Sequence, residues 1–294
     1  MSAKCFLCPR KCGADRNNGE RGFCRSGSLS VVARAAPHFG EEPCISGSCG
    51  SGTVFFAGCN MQCVFCQNHK ISFGGHGKEV SVSRLAEIFS ELEASDVHNI
   101  NLVTPTHFTD KIIEALKIAR PKIPVVWNSS AYENVETLKM LEGYVQVYMP
   151  DLKYTSAAAA LRYSGASDYP GIAKSAIMEM YRQTGRFVMD SEGLLKSGLL
   201  IRHLILPGRL DDAFDVIDWV SESFPKNAVF FSLMSQFVPL ADKEKFSELA
   251  RSLSLDEFER AQSYLSLSNI ENGYFQELSS ATDELIPSFD LTGV

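Results

Sequence analysis

From residue 52 onward, short β-branched and aromatic runs alternate with longer stretches whose apolar positions recur every three to four residues. Runs such as Val145-Gln146-Val147-Tyr148-Met149 are too short for a helix and rich in side chains that suit a pleated surface. Leu85, Ile88, Phe89 and Leu92 fall instead on one helical face, as do Ile112, Ile113, Leu116 and Ile118. The pattern predicts strands over 52–58, 99–106, 123–129, 145–152, 199–206 and 228–235. It predicts helices over 81–95, 109–120, 134–142, 211–223 and 255–269, with a long, partly helical stretch over 155–185. Strands that each lead into a helical segment imply parallel β/α units with right-handed crossovers, a full or partial barrel or a doubly wound sheet. In a barrel, chemistry sits on the loops that follow the strands. Residues 270–294 show little periodicity and are expected to pack as a tail.

Cysteine usage adds a second division of the chain. All nine cysteines (5, 8, 12, 24, 44, 49, 59, 63 and 66) precede residue 67, and residues 1–45 are rich in Cys, Gly and Arg. A small metal-stapled appendage over 1–45 is therefore expected ahead of a main domain over 46–294. With 294 residues, 45% of them hydrophobic, the chain can bury a substantial core, which excludes general disorder. No apolar run reaches membrane-spanning length, and the amino terminus leads into cysteines and not into a signal sequence. The expectation is a cytoplasmic protein, in which clustered cysteines serve as metal ligands more readily than as disulfides.

A net charge of -7 argues against a general nucleic-acid surface. Residues 1–40 go the other way, with seven basic residues against Asp15 and Glu20. Those cations can offset thiolate-bound metal or meet an acidic partner.

The strongest chemical signal follows the first predicted strand. Cys59, Cys63 and Cys66 form C-x3-C-x2-C, with Phe65 just before the last cysteine. Three thiolates this close on a loop can wrap one cuboidal cluster and leave its fourth iron open to a small molecule. A zinc knuckle completed by His69 is the competing reading.

In this motif the sequence resembles the radical S-adenosylmethionine superfamily, whose signature is C-x3-C-x-aromatic-C after the first strand of a partial (β/α)6 TIM-type barrel. Within it the chain is similar to the pyruvate formate-lyase activating enzyme group, in particular to members with an amino-terminal cysteine block. The likeness is carried by Gly40-Glu41-Glu42-Pro43, Val103-Thr104-Pro105-Thr106-His107, Asp151-Leu152-Lys153 and Ile201-Arg202 through Pro207-Gly208. The resemblance implies a [4Fe-4S] cluster on Cys59, Cys63 and Cys66, with S-adenosylmethionine chelating the open iron and Phe65 near the adenine. It implies reductive cleavage to a 5'-deoxyadenosyl radical that abstracts hydrogen, supplied with electrons by a flavodoxin- or ferredoxin-type donor. The substrate it suggests is a glycyl radical enzyme; alternatives are another peptide, an RNA or a metabolite, or a non-enzymatic iron-sulfur electron carrier.

The resemblance also places cofactor-binding residues. Thr106 and His107 stand where activating enzymes have a Gly-Gly-Glu segment for the cofactor's amino group, and could supply acceptors there. Asp151 and Lys153 share a strand-end face and can serve ribose hydroxyls and the methionine carboxylate. Asn128, Ser129, the Met149 carbonyl and Asp151 overlie a monovalent-cation site of the family, with Asn128 replacing an Asp. Arg202, flanked by apolar residues, needs a carboxylate partner, either the cofactor or Asp151. Ahead of the motif, Cys5, Cys8, Cys12 and Cys24 suffice for a second site, zinc or iron-sulfur. Cys44 and Cys49 are left over.

Overall fold

The computed structural model describes residues 4–278 and 287–294. Its core is one sheet of strands β1 Ser30–His38, β2 Ser51–Phe56, β3 Lys78–Val80, β4 Ile100–Val103, β5 Val125–Ser129, β6 Val147–Pro150, β7 Val188–Met189, β8 Leu195–Leu204, β9 Phe230–Met234 and β10 Gly273–Phe275. Strands β2, β4, β5, β6, β8, β9 and β10 lie side by side in that order, each parallel to the next. β1 pairs antiparallel with β2, β3 with β1, and β7 with β8. The result is an α/β fold with a mostly parallel sheet in sequential order, consistent with a partial barrel. Among the described residues β2 and β10 do not pair with each other.

All six strands expected from the pattern are present, and so are the helices between them. Val82–Glu93 starts on Ser81, whose side chain accepts from the Arg84 N–H, and buries Leu85, Ile88, Phe89 and Leu92 against the sheet. The long stretch over 155–185 is two helices, Ala157–Ser164 and Tyr169–Thr184. Gly165 ends the first in the left-handed region, and Pro170 opens the second. The helix expected over 134–142 shrinks to Val135–Lys139.

Two departures matter for the site. Ser30–His38, expected in the appendage, forms β1 and joins the main sheet. Its Ala-rich sequence with Pro37 carries few of the residues that mark a strand. The expected tail contributes β10, and it then returns beside β1, where the Leu291 N–H donates to Ala33 O and the Ala35 N–H to Thr292 O.

Candidate active site

The loop from Gly58 to Cys66 leaves the carboxyl end of β2 and is shaped by close backbone contacts. Gly58 sits at φ +82°, and a Cβ there would come 2.5 Å from the Cys24 carbonyl oxygen. Only glycine meets both conditions without strain. Asn60 ties the loop to the next elements, its Nδ2 donating to Tyr132 O at 2.7 Å.

Cys59, Cys63 and Cys66 all line one cavity of about 220 Å³ at the carboxyl ends of the strands. The Met61 N–H donates to Cys59 Sγ at 3.3 Å, the Ser164 hydroxyl donates to Cys63 Sγ at 3.0 Å, and Cys66 Sγ lies 3.7 Å from Ser72 Oγ. Burial, then the neighbouring Cys63, pushes the Cys66 thiol up to about 11 and the Cys59 thiol higher still. Bare thiolates are therefore disfavoured in this cradle, and cationic iron is what would stabilise them. No three His, Cys, Asp or Glu side chains among the described residues are gathered to hold a single metal ion. The donor set nonetheless fits a multi-iron cluster, with three soft thiols on one cavity wall, each with a polar neighbour.

In the same cavity, the ends of β5, β6 and β8 present a connected ionic network. Arg202 Nε meets Asp151 Oδ1 at 2.8 Å, Nη1 meets Glu41 Oε2 at 2.9 Å, and Nη2 donates to Asn128 Oδ1 at 2.8 Å. Glu42 lies 3.6 Å from Arg202 Nη1. Lys153 Nζ donates to Asp151 Oδ2 at 2.8 Å, and Asn101 and Asn128 donate to Glu41 Oε1. Burial alone would push the Asp151 carboxyl up, but Arg202 and Lys153 outweigh it and hold Asp151 below the usual carboxylate range. Burial likewise opposes the Lys153 charge, and Asp151 followed by Cys63 raises its ammonium above the ordinary value. Glu42 goes the other way, raised by burial and by Glu41 against the pull of Arg202. The Tyr169 hydroxyl accepts from the Lys153 N–H at 2.8 Å and lies 2.7 Å from Asp151 O, so it fixes the backbone of both residues.

Phe65, Thr106, Asn128, Ser129, Asp151, Lys153 and Arg202 thus all line the same cavity as the three cysteines. His107 does not. Thr104 takes φ +59° after β4, and the short turn Thr106–Phe108 carries the imidazole beneath the loop, fully buried. Its Nε2 lies 2.9 Å from Ala57 O, its Nδ1 has no partner, and burial lowers its pKa to about 4. Thr106 donates its hydroxyl to buried Glu133 Oε1 at 2.8 Å and keeps its lone pairs. The partners of Arg202 are Asp151, Glu41 and Asn128, each engaged by one of its three nitrogens. Around Asn128 and Asp151 the side-chain oxygens already face Arg202 and Lys153, where a monovalent cation was expected.

Sequence reasoning missed Glu41, Glu42, Glu133, Ser164 and Tyr169 as site residues. Adjacent acids in Gly40-Glu41-Glu42-Pro43 were a usable signal, because a strand-end pair needs a cation and Arg202 was in search of an anion. Cys44 is buried and Cys49 is exposed, its N–H donating to His98 Nε2 at 3.0 Å, and neither lines the cavity.

Residues 53–161 match the radical SAM superfamily model. Over 267 residues the chain is 31% identical to an uncharacterized protein of Methanocaldococcus jannaschii, an alignment covering 87% of this chain and 72% of that protein. The chain belongs to the radical SAM superfamily. Radical SAM proteins use S-adenosylmethionine and a [4Fe-4S] cluster. Among solved structures, SuiB of Streptococcus suis is similar in fold, with a TM-score of 0.50 at 12% identity over 76% of this chain and 48% of SuiB. The SuiB structure bound to S-adenosylmethionine gives 0.49 at 14% identity, covering 79% of this chain and 51% of that one. This radical SAM chain spans about half the length of SuiB. Among its described residues no helix is long and apolar enough to cross a membrane.

Proposed function

We propose that this protein is a radical S-adenosylmethionine enzyme in which Cys59, Cys63 and Cys66 hold a [4Fe-4S] cluster with one iron open to the cofactor. Such a cluster, given one electron by a flavodoxin- or ferredoxin-type donor, supplies reductive cleavage of S-adenosylmethionine to methionine and a 5'-deoxyadenosyl radical that takes hydrogen from substrate. The observation that carries this reading is the cavity itself, which three thiols share with the Asp151–Lys153 pair.

The protein's own groups would then bind and orient. Lys153 uses one N–H on Asp151 and has further donors for the methionine carboxylate. Asp151 is held charged by its two cationic neighbours, which suits ribose hydroxyls. Thr106 and Ser129 offer hydroxyl oxygens to the cofactor's ammonium, and Phe65 offers a ring face. Arg202 serves as the framework that keeps Glu41, Asn128 and Asp151 in place.

The first substrate to test is a backbone glycine of a glycyl radical enzyme, on the resemblance in Asp151-Leu152-Lys153; another peptide, an RNA or a metabolite is the alternative. Cys5, Cys8, Cys12 and Cys24 are proposed to hold a second centre, zinc or iron-sulfur. In its support, backbone bonds close the turns that carry two of them, with the Gly13 N–H on Cys5 O at 3.1 Å and the Lys11 N–H on Cys8 O at 3.1 Å. Arg16 Nη2 also donates to Cys24 Sγ at 3.1 Å.

Anaerobic reconstitution with dithionite and S-adenosylmethionine tests the reading. Release of 5'-deoxyadenosine that vanishes in Cys63→Ala is the expected result. No cleavage by a fully loaded protein would overturn it. Iron analysis of the same variant separates two clusters, where iron halves, from one cluster plus zinc, where iron is lost and zinc stays.

A further inference from the structure

One side chain joins the amino-terminal cysteine block to the radical-motif loop. Arg10 lies between Cys8 and Cys12, with its guanidinium carbon 4.0 Å from the Phe23 ring centroid and 5.2 Å from that of Tyr132. All three of its nitrogens leave the block to grip backbone carbonyls. Nε donates to Asn60 O at 2.8 Å, Nη1 to Gly165 O at 2.6 Å and Nη2 to Ser164 O at 3.1 Å. Asn60 directly follows Cys59. Ser164 closes helix Ala157–Ser164, takes a 2.9 Å contact from the Tyr154 hydroxyl and donates its own to Cys63 Sγ at 3.0 Å. Arg10 therefore holds the backbone from which a buried donor is aimed at one of the three sulfurs. The Cys24 carbonyl, pressed against Gly58, is a second contact between block and loop.

We propose that Arg10 and Ser164 are positioning residues through which the amino-terminal cysteine site raises the reduction potential of the radical cluster. This rests on the cluster reading given above. Reduction adds one electron, taken from a flavodoxin- or ferredoxin-class donor, to a cluster whose negative charge falls partly on its thiolate sulfurs. A hydroxyl donated to Cys63 Sγ stabilises that added charge and makes reduction easier. A metal ion or cluster held by Cys8 and Cys12 would pin both ends of the short segment that carries Arg10. Without it Arg10 would be freer, Ser164 less firmly aimed and the radical cluster harder to reduce. Occupancy of the first site thereby governs whether the second accepts its electron.

The test is a redox titration of the reconstituted full-length protein, followed by electron paramagnetic resonance on the signal that changes when S-adenosylmethionine is added. Ser164→Ala and Arg10→Ala are expected to shift the midpoint to more negative potential with iron content unchanged. Arg10→Lys keeps the charge but cannot span three carbonyls, so the same shift is expected. Cys12→Ala, at an exposed ligand position, is expected to move it in the same direction. Unchanged midpoints in Ser164→Ala and Arg10→Lys would overturn the proposal, as would a wild-type midpoint in Cys12→Ala. Should Arg10→Ala not fold, Ser164→Ala and Arg10→Lys still decide. A wild-type protein lacking any cofactor-responsive signal overturns the cluster reading itself, an outcome visible before any variant is compared.

Discussion

Lys153 and Arg202 both face Asp151, yet they do different work. Lys153 keeps donors free toward the cavity, and removing it takes a charge-assisted hydrogen bond from any bound carboxylate. Such bonds contribute about 1.5–3 kcal/mol, so Lys153→Ala is expected to weaken S-adenosylmethionine binding roughly 10- to 100-fold by calorimetry on the reconstituted protein. Arg202 instead spends a bond from each of its nitrogens on Asp151, Glu41 and Asn128. Arg202→Ala strands buried carboxylates without a counter-charge, and the expected loss is about 3–5 kcal/mol in chemical denaturation. A loss below about 1 kcal/mol would show that the network relaxes into water. At this scale the sequence was legible for side chains whose chemistry is local to a motif: Cys59, Cys63, Cys66 and the Asp151–Lys153 pair. It was not legible for His107, because a residue's face after a strand end depends on the turn. The left-handed Thr104 reverses the count that would have aimed His107 inward.

Between elements, the loop after β2 is set as much by the amino-terminal block as by its own strand. Gly58→Ala puts a methyl 2.5 Å from the Cys24 carbonyl and 2.7 Å from Ser26 Oγ, at φ +82°. The left-handed backbone alone costs about 1–2 kcal/mol, and a backbone carbonyl cannot swing aside as a side-chain tip can. The expected outcome is a loss of at least that size in denaturation together with reduced iron retention at the radical-motif cysteines. Retention of full iron would mean the block can shift without disturbing the motif. Periodicity located every β/α unit because burial on one face repeats along each element. It could not find β1 or β10, whose short or alanine-rich strands are held by pairing with neighbours far away in sequence and not by their own pattern.

For the whole molecule, buried histidine links stability to pH. His107 titrates near 4 when folded, against 6.5 when exposed, because burial and Arg16 disfavour its cation. A depressed value means this stabilisation is fully present above 6.5 and is lost as pH falls through about 4. The difference amounts to roughly 3 kcal/mol. Denaturation of wild type and His107→Gln between pH 7 and 4 should show a shallower slope in the variant, and parallel slopes would refute the assignment. The return of residues 291 and 292 to β1 has a different consequence, one of order in time. Val32 and the residues before it find their partners by residue 80, but Ala33 and Ala35 wait for Leu291 and Thr292. During synthesis that edge stays open until Thr292 has emerged, exposing unpaired backbone where another chain can add. The contact that waits longest for its partner is thus also the one that seals the strand beside the radical motif.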